Sequence, residues 1–200
     1  MELFIVPDIT PGSFIFDFEG QYHVLKHFSA IDEDYLKLFI DRGPYSKRDV
    51  MNRMQKFGSK FHLNFLTNPL ELVQLLENQK NFVLNYPLKT KQRIEMQLVF
   101  DMARYPEGIG NDTLVRKKDF SVDAELKVRM RKGFPVHYKK GEPLPTWECQ
   151  VIFTRTDGVW RLTTYFPGKY APPFPDRSIQ SKEDFEKCAD FWNKHIFLTK

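Results

Sequence analysis

The chain has little cysteine and no long apolar run. Its two cysteines, Cys149 and Cys188, lie in a predicted strand and a predicted helix, and two cysteines make neither a disulfide framework nor a metal site. We expect both to be buried free thiols. No stretch approaches the roughly 20 apolar residues that a helix needs to cross a bilayer. Because the segment Met1 to Pro7 also lacks the basic start of a secretory signal, we expect a cytoplasmic protein with no membrane partner. Export by a specialised secretion system stays open.

The sequence also lacks the motifs of common cofactor and hydrolase sites. It contains no Walker loop, no G-x-G-x-x-G after a strand, no G-x-S-x-G elbow and no H-E-x-x-H helix. His23, His27 and His62 show no ligand spacing, so we interpret them as structural. The carboxylates are scattered, with no His or Cys cluster beside them. We therefore expect no metal and no cofactor.

What the sequence does contain is apolar surface for a core and a small excess of positive charge. Of its 200 residues, 42% are hydrophobic and 19 are Phe, a residue that buries a large area. This length fits one domain. Thirty Lys and Arg against 26 Asp and Glu give a net charge of +4. That charge permits a nucleic-acid partner without requiring one.

Helical and strand patterns occupy different parts of the chain. In the first half, helical patterns begin at Asp32 and Ser46, and a third follows Asn68, which is a good N-cap. Period-two alternation follows from Gln92 onward. We predict a single domain, 1–200, with an irregular and helical part over 1–90, an antiparallel sheet over 91–168, and a Pro-rich segment with a C-terminal helix over 169–200. This segregation predicts an α+β fold, with N-terminal helices packed on an antiparallel sheet of about four strands and a closing helix.

A β-hairpin from Thr146 to Phe166 is the clearest element. Asp157-Gly158 is a strong signal for a two-residue turn, and such a turn fixes the register of the two strands. Thr154 is then expected to face Arg161, Ile152 to face Thr163 and Gln150 to face Tyr165. The register predicts an open polar face made of Gln150, Thr154, Arg161, Thr163 and Tyr165. The other face is expected to pack on the helices and carries Val151, Phe153, Leu162, Thr164 and Phe166.

The strand that precedes the hairpin has a charged face as well. Arg129 and Arg131 alternate with apolar residues, and His137 lies just beyond. If this strand adjoins the hairpin, the open side of the sheet combines guanidinium groups, hydroxyls, a phenol and an imidazole. Arg binds phosphate oxygens in bidentate fashion, and His can move the proton of a hydroxyl or a leaving group. Such a surface suits a phosphodiester, although a half-exposed sheet also has a polar face for solvation alone. For His195, at the end of the last helix, we expect a structural or helix-terminal role.

The hairpin ends in a short motif, and the resemblance that it carries extends over about residues 92–200. Thr164-Tyr165-Phe166-Pro167 matches the Thr-x-(Phe or Tyr)-Pro end of the last core strand in proteins of the barnase–EndoU–colicin–RelE type. The segment Gly168 to Pro175 and the later Phe191-Trp192-Asn193-Lys194-His195 look like the tail of uncharacterised bacterial proteins with a similar ending. The resemblance implies metal-independent cleavage of RNA at the sheet, as in polymorphic toxins. It departs from the family because no upstream catalytic His, Lys or Arg matches securely, and because the register puts Thr164 on the packed face unless a bulge corrects it.

Two hypotheses for function follow. The first is a metal-independent ribonuclease-like domain, a toxin or a toxin-derived protein, with RNA as its partner. Its catalytic candidates are His137, Thr163, Thr164 and Tyr165, and its phosphate- or RNA-binding candidates are Arg129, Arg131 and Arg161. The alternative is a non-catalytic protein-binding or immunity module on a similar scaffold, whose partner is another protein.

Overall fold

The computed structural model combines short helices with many strands, and it confirms the predicted α+β class. It describes residues 14–78, 82–85, 93–119, 126–169 and 171–199. Within those ranges the helices are α1 Phe18–Val24, α2 Glu33–Arg42, α3 Lys47–Met54, α4 Glu71–Asn78 and α5 Lys182–Asn193. No helix in these ranges is long and apolar enough to cross a membrane.

Within the described ranges, strands are the main secondary structure of the second half of the chain. They are β1 Phe14–Ile15, β2 Lys60–Phe61, β3 Phe82–Asn85, β4 Arg93–Val99, β5 Gly110–Asp112, β6 Leu114–Arg116, β7 Lys127–Arg131, β8 Phe134–Lys140, β9 Leu144–Thr146, β10 Glu148–Thr156, β11 Val159–Pro167 and β12 His195–Thr199. Three sheets result: a central sheet in the order β1-β11-β10-β4-β3, a second sheet in the order β6-β12-β8-β7, and a small sheet in the order β2-β5-β9. Most pairs are antiparallel, while β1 with β11 and β12 with β8 are parallel.

Side-chain caps explain where the main helices begin. The Asp32 carboxylate accepts a hydrogen bond from the backbone N–H of Tyr35 at the start of α2, and Ser46 forms a capping box with Asp49 at the start of α3. At the start of α5, the Ser181 hydroxyl accepts a hydrogen bond from the backbone N–H of Asp184. Each cap satisfies a backbone N–H that has no partner inside its helix.

Two features of the predicted architecture are corrected. The strands form three sheets instead of one sheet of about four strands, because β7 and β8 pair with β12 and β6 and not with the hairpin. The chain also does not close with a helix, since β12 follows α5 and adds a strand to the second sheet.

The hairpin of β10 and β11 is present, but its register changes along its length. Asp157 and Gly158 both have positive φ, as a two-residue turn of this kind requires, and near the turn Thr154 pairs with Arg161 as predicted. A bulge then shifts the pairing between Ile152 and Phe153. Ile152 consequently lies opposite Thr164, and the bulge leaves Thr163 as the extra residue of β11.

The shifted register exchanges the predicted faces of the hairpin beyond the bulge. Tyr165 lies opposite Val151 on the face that joins the main core. Thr164 and Phe166 lie on the other face, opposite Ile152 and Gln150. The predictions that Tyr165 is on the open face, and that Thr164 and Phe166 are on the packed face, are therefore wrong.

The second face of the central sheet is polar but closed to solvent. Glu95 and Gln150 are completely buried there and Thr164 nearly so. Glu95 forms an ion pair with Arg93 at 2.7 Å, and burial raises its pKa. The Cys188 thiol of α5 lies close enough that, after burial itself, the Asp184 and Glu95 carboxylates contribute to raising its pKa. The hairpin therefore has no open polar face near its N-terminal end, in contrast to the prediction for Gln150.

Candidate functional site

The three predicted hydroxyl residues of β11 occupy three different environments. Thr163 lies at the bulge, where its Oγ1 is 2.7 Å from the Oγ1 of Thr154. Thr164 is buried on the second face of the central sheet, and its Oγ1 has no hydrogen-bond partner among the described residues. Tyr165 is completely buried in the main core, where its hydroxyl donates a hydrogen bond of 2.8 Å to the carbonyl of Pro69. The structure therefore does not bring these three hydroxyl groups together.

The predicted arginines are divided between two sheets. Arg161 in the central sheet forms an ion pair of 2.7 Å with Asp17. Arg129 and Arg131 belong to β7 in the second sheet, where their guanidinium groups lie 5.2 Å from the ring centre of Tyr138 and 3.9 Å from that of Phe174. The condition that β7 adjoins the hairpin is not met, because β7 pairs with β8.

His137 lies on β8, next to a lysine. Its Nδ1 is 3.2 Å from the Nζ of Lys117, and burial together with this cation lowers its pKa. His137 and the two β7 arginines share the second sheet, and the other predicted residues lie in the central sheet. The seven predicted residues thus do not line one cleft.

A different cleft contains a group of titratable side chains. It has a volume of about 560 Å³ and lies where β5, β6, β9 and β10 meet the end of α5. Its polar lining residues are Gln97, Asp112, Arg116, Asp119, Thr146, Glu148, Lys169 and His195. Clefts of this size with converging polar and ionisable groups are typical of ligand and active sites.

Asp112 is the most buried carboxylate of this cleft. One carboxylate oxygen accepts a hydrogen bond from the backbone N–H of Leu114 at 2.9 Å, and the other accepts one from the backbone N–H of Lys169 at 3.0 Å. The Ser59 hydroxyl donates a third, at 3.4 Å. Burial raises the pKa of Asp112 to about 6 in spite of these donors. Asp112 therefore ties the end of β11 to β5 and carries a carboxyl group that titrates near neutral pH.

Gly168 allows this close approach. Its φ of 133° lies in a region that side chains disfavour, and an added Cβ would lie 2.8 Å from the carboxyl carbon of Asp112. The glycine thus lets Lys169 follow directly after β11 at the wall of the cleft. This position explains the Pro-Gly that ends the hairpin strand.

His195 stands at the start of β12, immediately after α5. Its Nδ1 is 2.7 Å from the backbone carbonyl of Phe191, and its ring stacks on the Phe191 ring at 3.9 Å. Since a carbonyl only accepts, Nδ1 carries the proton, and Nε2 is left as the acceptor nitrogen. Nε2 has no hydrogen-bond partner among the described residues. Burial is the main cause that lowers the pKa of His195, so the ring is neutral at pH 7.

Cations lie beside this histidine. Arg116 is the residue directly opposite His195 in the pairing of β6 with β12, and its charge also lowers the pKa of His195. Lys169 lines the same cleft. Glu148, by contrast, is engaged by the Gln97 amide at 2.6 Å. A neutral imidazole thus lies opposite one basic side chain, Arg116, in a cleft that Lys169 also lines. The Asp119 carboxylate lines this cleft too and opposes the lowering of the His195 pKa. An imidazole and cations in one cleft can take a proton from a substrate and hold an anion.

Sequence reasoning missed both His195 and Asp112 as site residues. His195 was expected to be structural, and no motif in the sequence singles out Asp112. One signal pointed to the cleft: the two tail segments noted in the sequence both contribute to it, Lys169 from Gly168 to Pro175 and His195 from Phe191 to His195. No grouping of three His, Cys, Asp or Glu side chains suited to a metal occurs in the ranges that the structure describes.

Comparisons with known proteins do not assign a function to this cleft. No family model matches the chain, and no curated protein matches it. A crystal structure of a conserved hypothetical protein from Toxoplasma gondii ME49 is similar at 8% sequence identity, covering 85% of this chain and 92% of that chain with a TM-score of 0.39. The ribonuclease resemblance is not tested by these comparisons and stays a prediction.

Proposed function

We propose that this protein is a metal-independent ribonuclease-like enzyme whose active site is the cleft that contains His195, Arg116 and Lys169. The observation that carries the proposal is that the His195 imidazole, whose Nδ1–H is held by a backbone carbonyl, lines one cleft with the cationic side chains of Arg116 and Lys169. Lys169 and His195 also belong to the two tail segments, Gly168 to Pro175 and Phe191 to His195, that look like the ending of uncharacterised bacterial proteins. The reaction proposed from the sequence is kept, and its residues are changed. His195 replaces His137 as the proton acceptor.

In the proposed reaction His195 acts as the general base. Its Nδ1–H is held by the Phe191 carbonyl, so Nε2 takes the proton of the ribose 2′-hydroxyl. The 2′ oxygen then attacks the adjacent phosphorus, and the bond from phosphorus to the 5′ oxygen breaks. The leaving 5′ oxygen receives a proton from the Lys169 ammonium. Protonated His195 then gives its proton to solvent, and neutral Lys169 takes one from solvent. The products are a 2′,3′-cyclic phosphate and a free 5′-hydroxyl.

Arg116 and Lys169 supply the positive charge that a phosphodiester needs. Neither forms an ion pair with another described residue, so both remain available to a ligand. The Asp112 carboxylate is occupied by backbone N–H groups. We assign it a positioning role, because it fixes the backbone of Lys169 at the wall of the cleft.

An RNA cleavage assay with two matched histidine variants tests the proposal. A fluorescently labelled RNA is incubated with wild type, His195→Gln and His137→Gln in buffer containing EDTA. We expect His195→Gln to lose about 10²–10⁴-fold in rate, the usual contribution of a general base, and His137→Gln to retain activity. The same oligonucleotide with a 2′-deoxyribose at the cleaved position is expected to stay intact.

Three results would contradict this proposal in different ways. No cleavage above the buffer rate by the wild-type protein would rule out ribonuclease activity. Equal rates for wild type and His195→Gln would move the active site away from the cleft. Cleavage of the deoxy-substituted oligonucleotide would show that the 2′-hydroxyl is not the nucleophile.

We further propose, from the sequence resemblance, that the protein acts as a toxin through this ribonuclease activity. We expect induced expression of the wild-type protein to arrest bacterial growth and His195→Gln to relieve the arrest at equal protein level. Growth arrest by both proteins would separate toxicity from the proposed chemistry.

Protein binding is a second candidate function, and one observation favours it. The edge strand β7 exposes its apolar side chains, including Val128 and Met130, to solvent.

A further inference from the structure

The strand β7 is an edge strand that is open on both faces. It occupies one end of the second sheet, and within the described ranges it pairs with β8 alone. All five of its residues, Lys127–Arg131, are exposed. An edge strand presents unpaired backbone N–H and C=O groups, which natural proteins usually cover or protect.

The outer face of β7 is apolar. Val128 is 54% exposed and Met130 is 66% exposed, and Leu126, just before the strand, continues the same row. Their cross-strand neighbours on β8 are His137 and Pro135. This arrangement reverses the prediction that the apolar side of the strand is packed and the arginine side open. Exposed apolar rows of this kind mark interaction sites.

The inner face of β7 is cationic. Arg129 and Arg131 lie over the rings of Tyr138 and Phe174 at the margin of the second sheet's core, and Lys127 occupies the same side of the strand. The rings hold the two guanidinium groups in place. Positive charge and apolar surface therefore alternate along the strand.

The turn after β7 determines which backbone groups point away from the sheet. Lys132 and Gly133 both have positive φ, 50° and 76°, as the type I′ two-residue turn requires. The flanking pair Arg131 and Phe134 is then hydrogen-bonded, and hydrogen-bonded pairs alternate with non-hydrogen-bonded ones along an antiparallel ladder. Val128 and Met130 consequently direct their N–H and C=O groups toward the open edge. Pro135 opposite Met130 fits this phase, because proline has no N–H to give to β7.

We propose that β7 docks an extended strand of a partner protein in which acidic and apolar residues alternate. The partner strand pairs with the outward backbone groups of Val128 and Met130 and extends the second sheet by one strand. Its apolar side chains cover Val128 and Met130, and its carboxylates lie beside Lys127, Arg129 and Arg131. This surface is separate from the cleft of the proposed enzyme.

Charge and chemistry favour this occupant over the alternatives. A second copy of the chain paired through β7 would set arginine beside arginine on one face, which is unfavourable. RNA would match the cations but would leave the apolar row and the free backbone edge without partners. An acidic and apolar strand satisfies all three features of β7.

The test uses a short blocked peptide of alternating glutamate and valine as the probe. Binding is measured by fluorescence anisotropy, and the bound position is measured by amide hydrogen exchange of the full chain. We expect saturable binding and slower exchange at the amides of Val128 and Met130. A matched peptide with lysine in place of glutamate is expected not to bind.

Variants separate strand pairing from simple charge attraction. Val128→Pro removes an outward N–H without removing a bond to β8, and we expect it to abolish binding. Arg129→Glu is expected to weaken binding about tenfold or more, which corresponds to about 1.4 kcal/mol. Ile179→Ser changes an apolar residue exposed elsewhere and is expected to bind as the wild type does. Circular dichroism checks that each variant is folded.

Several outcomes would overturn the proposal. Failure of the glutamate–valine peptide to bind the folded wild type would do so directly. Binding that survives Val128→Pro but is lost in Arg129→Glu would show charge attraction without strand pairing. Protection of β7 by an RNA oligonucleotide, with none by the peptide, would assign the strand to RNA.

Discussion

Replacing Tyr165 by Phe separates a structural role from a catalytic one at the centre of the ribonuclease-like motif. The Tyr165 hydroxyl is completely buried and donates a hydrogen bond of 2.8 Å to the carbonyl of Pro69, which lies just before α4. Tyr165→Phe removes the donor and leaves this carbonyl buried without it. Leaving a buried polar group unpaired costs about 1–3 kcal/mol.

The loss of stability in Tyr165→Phe can be measured by thermal unfolding and by urea unfolding. For a chain of this length, 1 kcal/mol corresponds to about 2–4 °C in Tm, so a loss near 2 kcal/mol lowers Tm by about 4–8 °C. In urea, the midpoint is expected to fall while the slope of the unfolding free energy against urea stays the same. RNA cleavage under folded conditions is expected to be unchanged, because Tyr165 does not line the cleft.

Tyr138→Phe is the matched control for this experiment. The Tyr138 ring is half-buried, and its hydroxyl makes no hydrogen bond with a described residue, so we expect a change within about 0.5 kcal/mol. Unchanged unfolding of Tyr165→Phe together with lost RNA cleavage would refute the structural assignment. It would restore the catalytic role that the sequence predicted for this tyrosine.

Three further predictions follow from the site and its supports. Gly168→Ala combines backbone strain with a contact of 2.8 Å between the new Cβ and the Asp112 carboxyl, so we expect it to lower the free energy of unfolding in urea by about 3 kcal/mol. The control Gly158→Ala, at a turn glycine with nothing near its Cβ position, is expected to cost about 1–2 kcal/mol. Equal costs for the two variants would contradict the close approach of Gly168 to Asp112. Trp192→Phe loses the hydrogen bonds of the indole N–H to two proline carbonyls and is expected to cost about 1–3 kcal/mol and to alter the near-ultraviolet circular dichroism. Because burial lowers the pKa of His195, its ring becomes the neutral, active base at a lower pH than an ordinary histidine; the acid limb of the rate against pH should therefore lie below 6.5 and disappear in His195→Gln.

Local signals in the sequence located the elements but not their neighbours. The turn at Asp157-Gly158 and the helix starts at Asp32 and Ser46 are found in the structure because each depends on a few adjacent residues. Apolar residues at helical spacing continue from Val50 to Phe61 in the sequence, but α3 ends at Met54 and Phe61 lies in β2. A spacing pattern does not distinguish one long helix from a helix followed by a buried strand.

Strand periodicity showed which residues share a face, without showing which face is buried. In β7 the apolar and cationic residues alternate as predicted, but the cationic side adjoins the core and the apolar side faces solvent. The burial of a face depends on the sheet to which a strand belongs, and the pairing of β7 is set by β8 and the distant β12. The candidate cleft was unpredictable for the same reason, because β6 and β12 bring Arg116 to His195 from opposite ends of the second half of the chain.

Because of the bulge at Thr163, the fold of the hairpin depends on the number of residues in β11 as well as on their types. The number of residues between the Asp157-Gly158 turn and the end of β11 determines whether Thr164, Tyr165 or Phe166 points into the core. Deleting one residue there would point Thr164 or Phe166 inward in place of Tyr165. A comparison of the motif residues alone would not detect this change, because the motif itself would be unaltered. Related chains should therefore be aligned on the spacing from the turn to the Tyr-Phe-Pro end. A protein that keeps these letters but shortens the interval by one residue should be expected to have a different core.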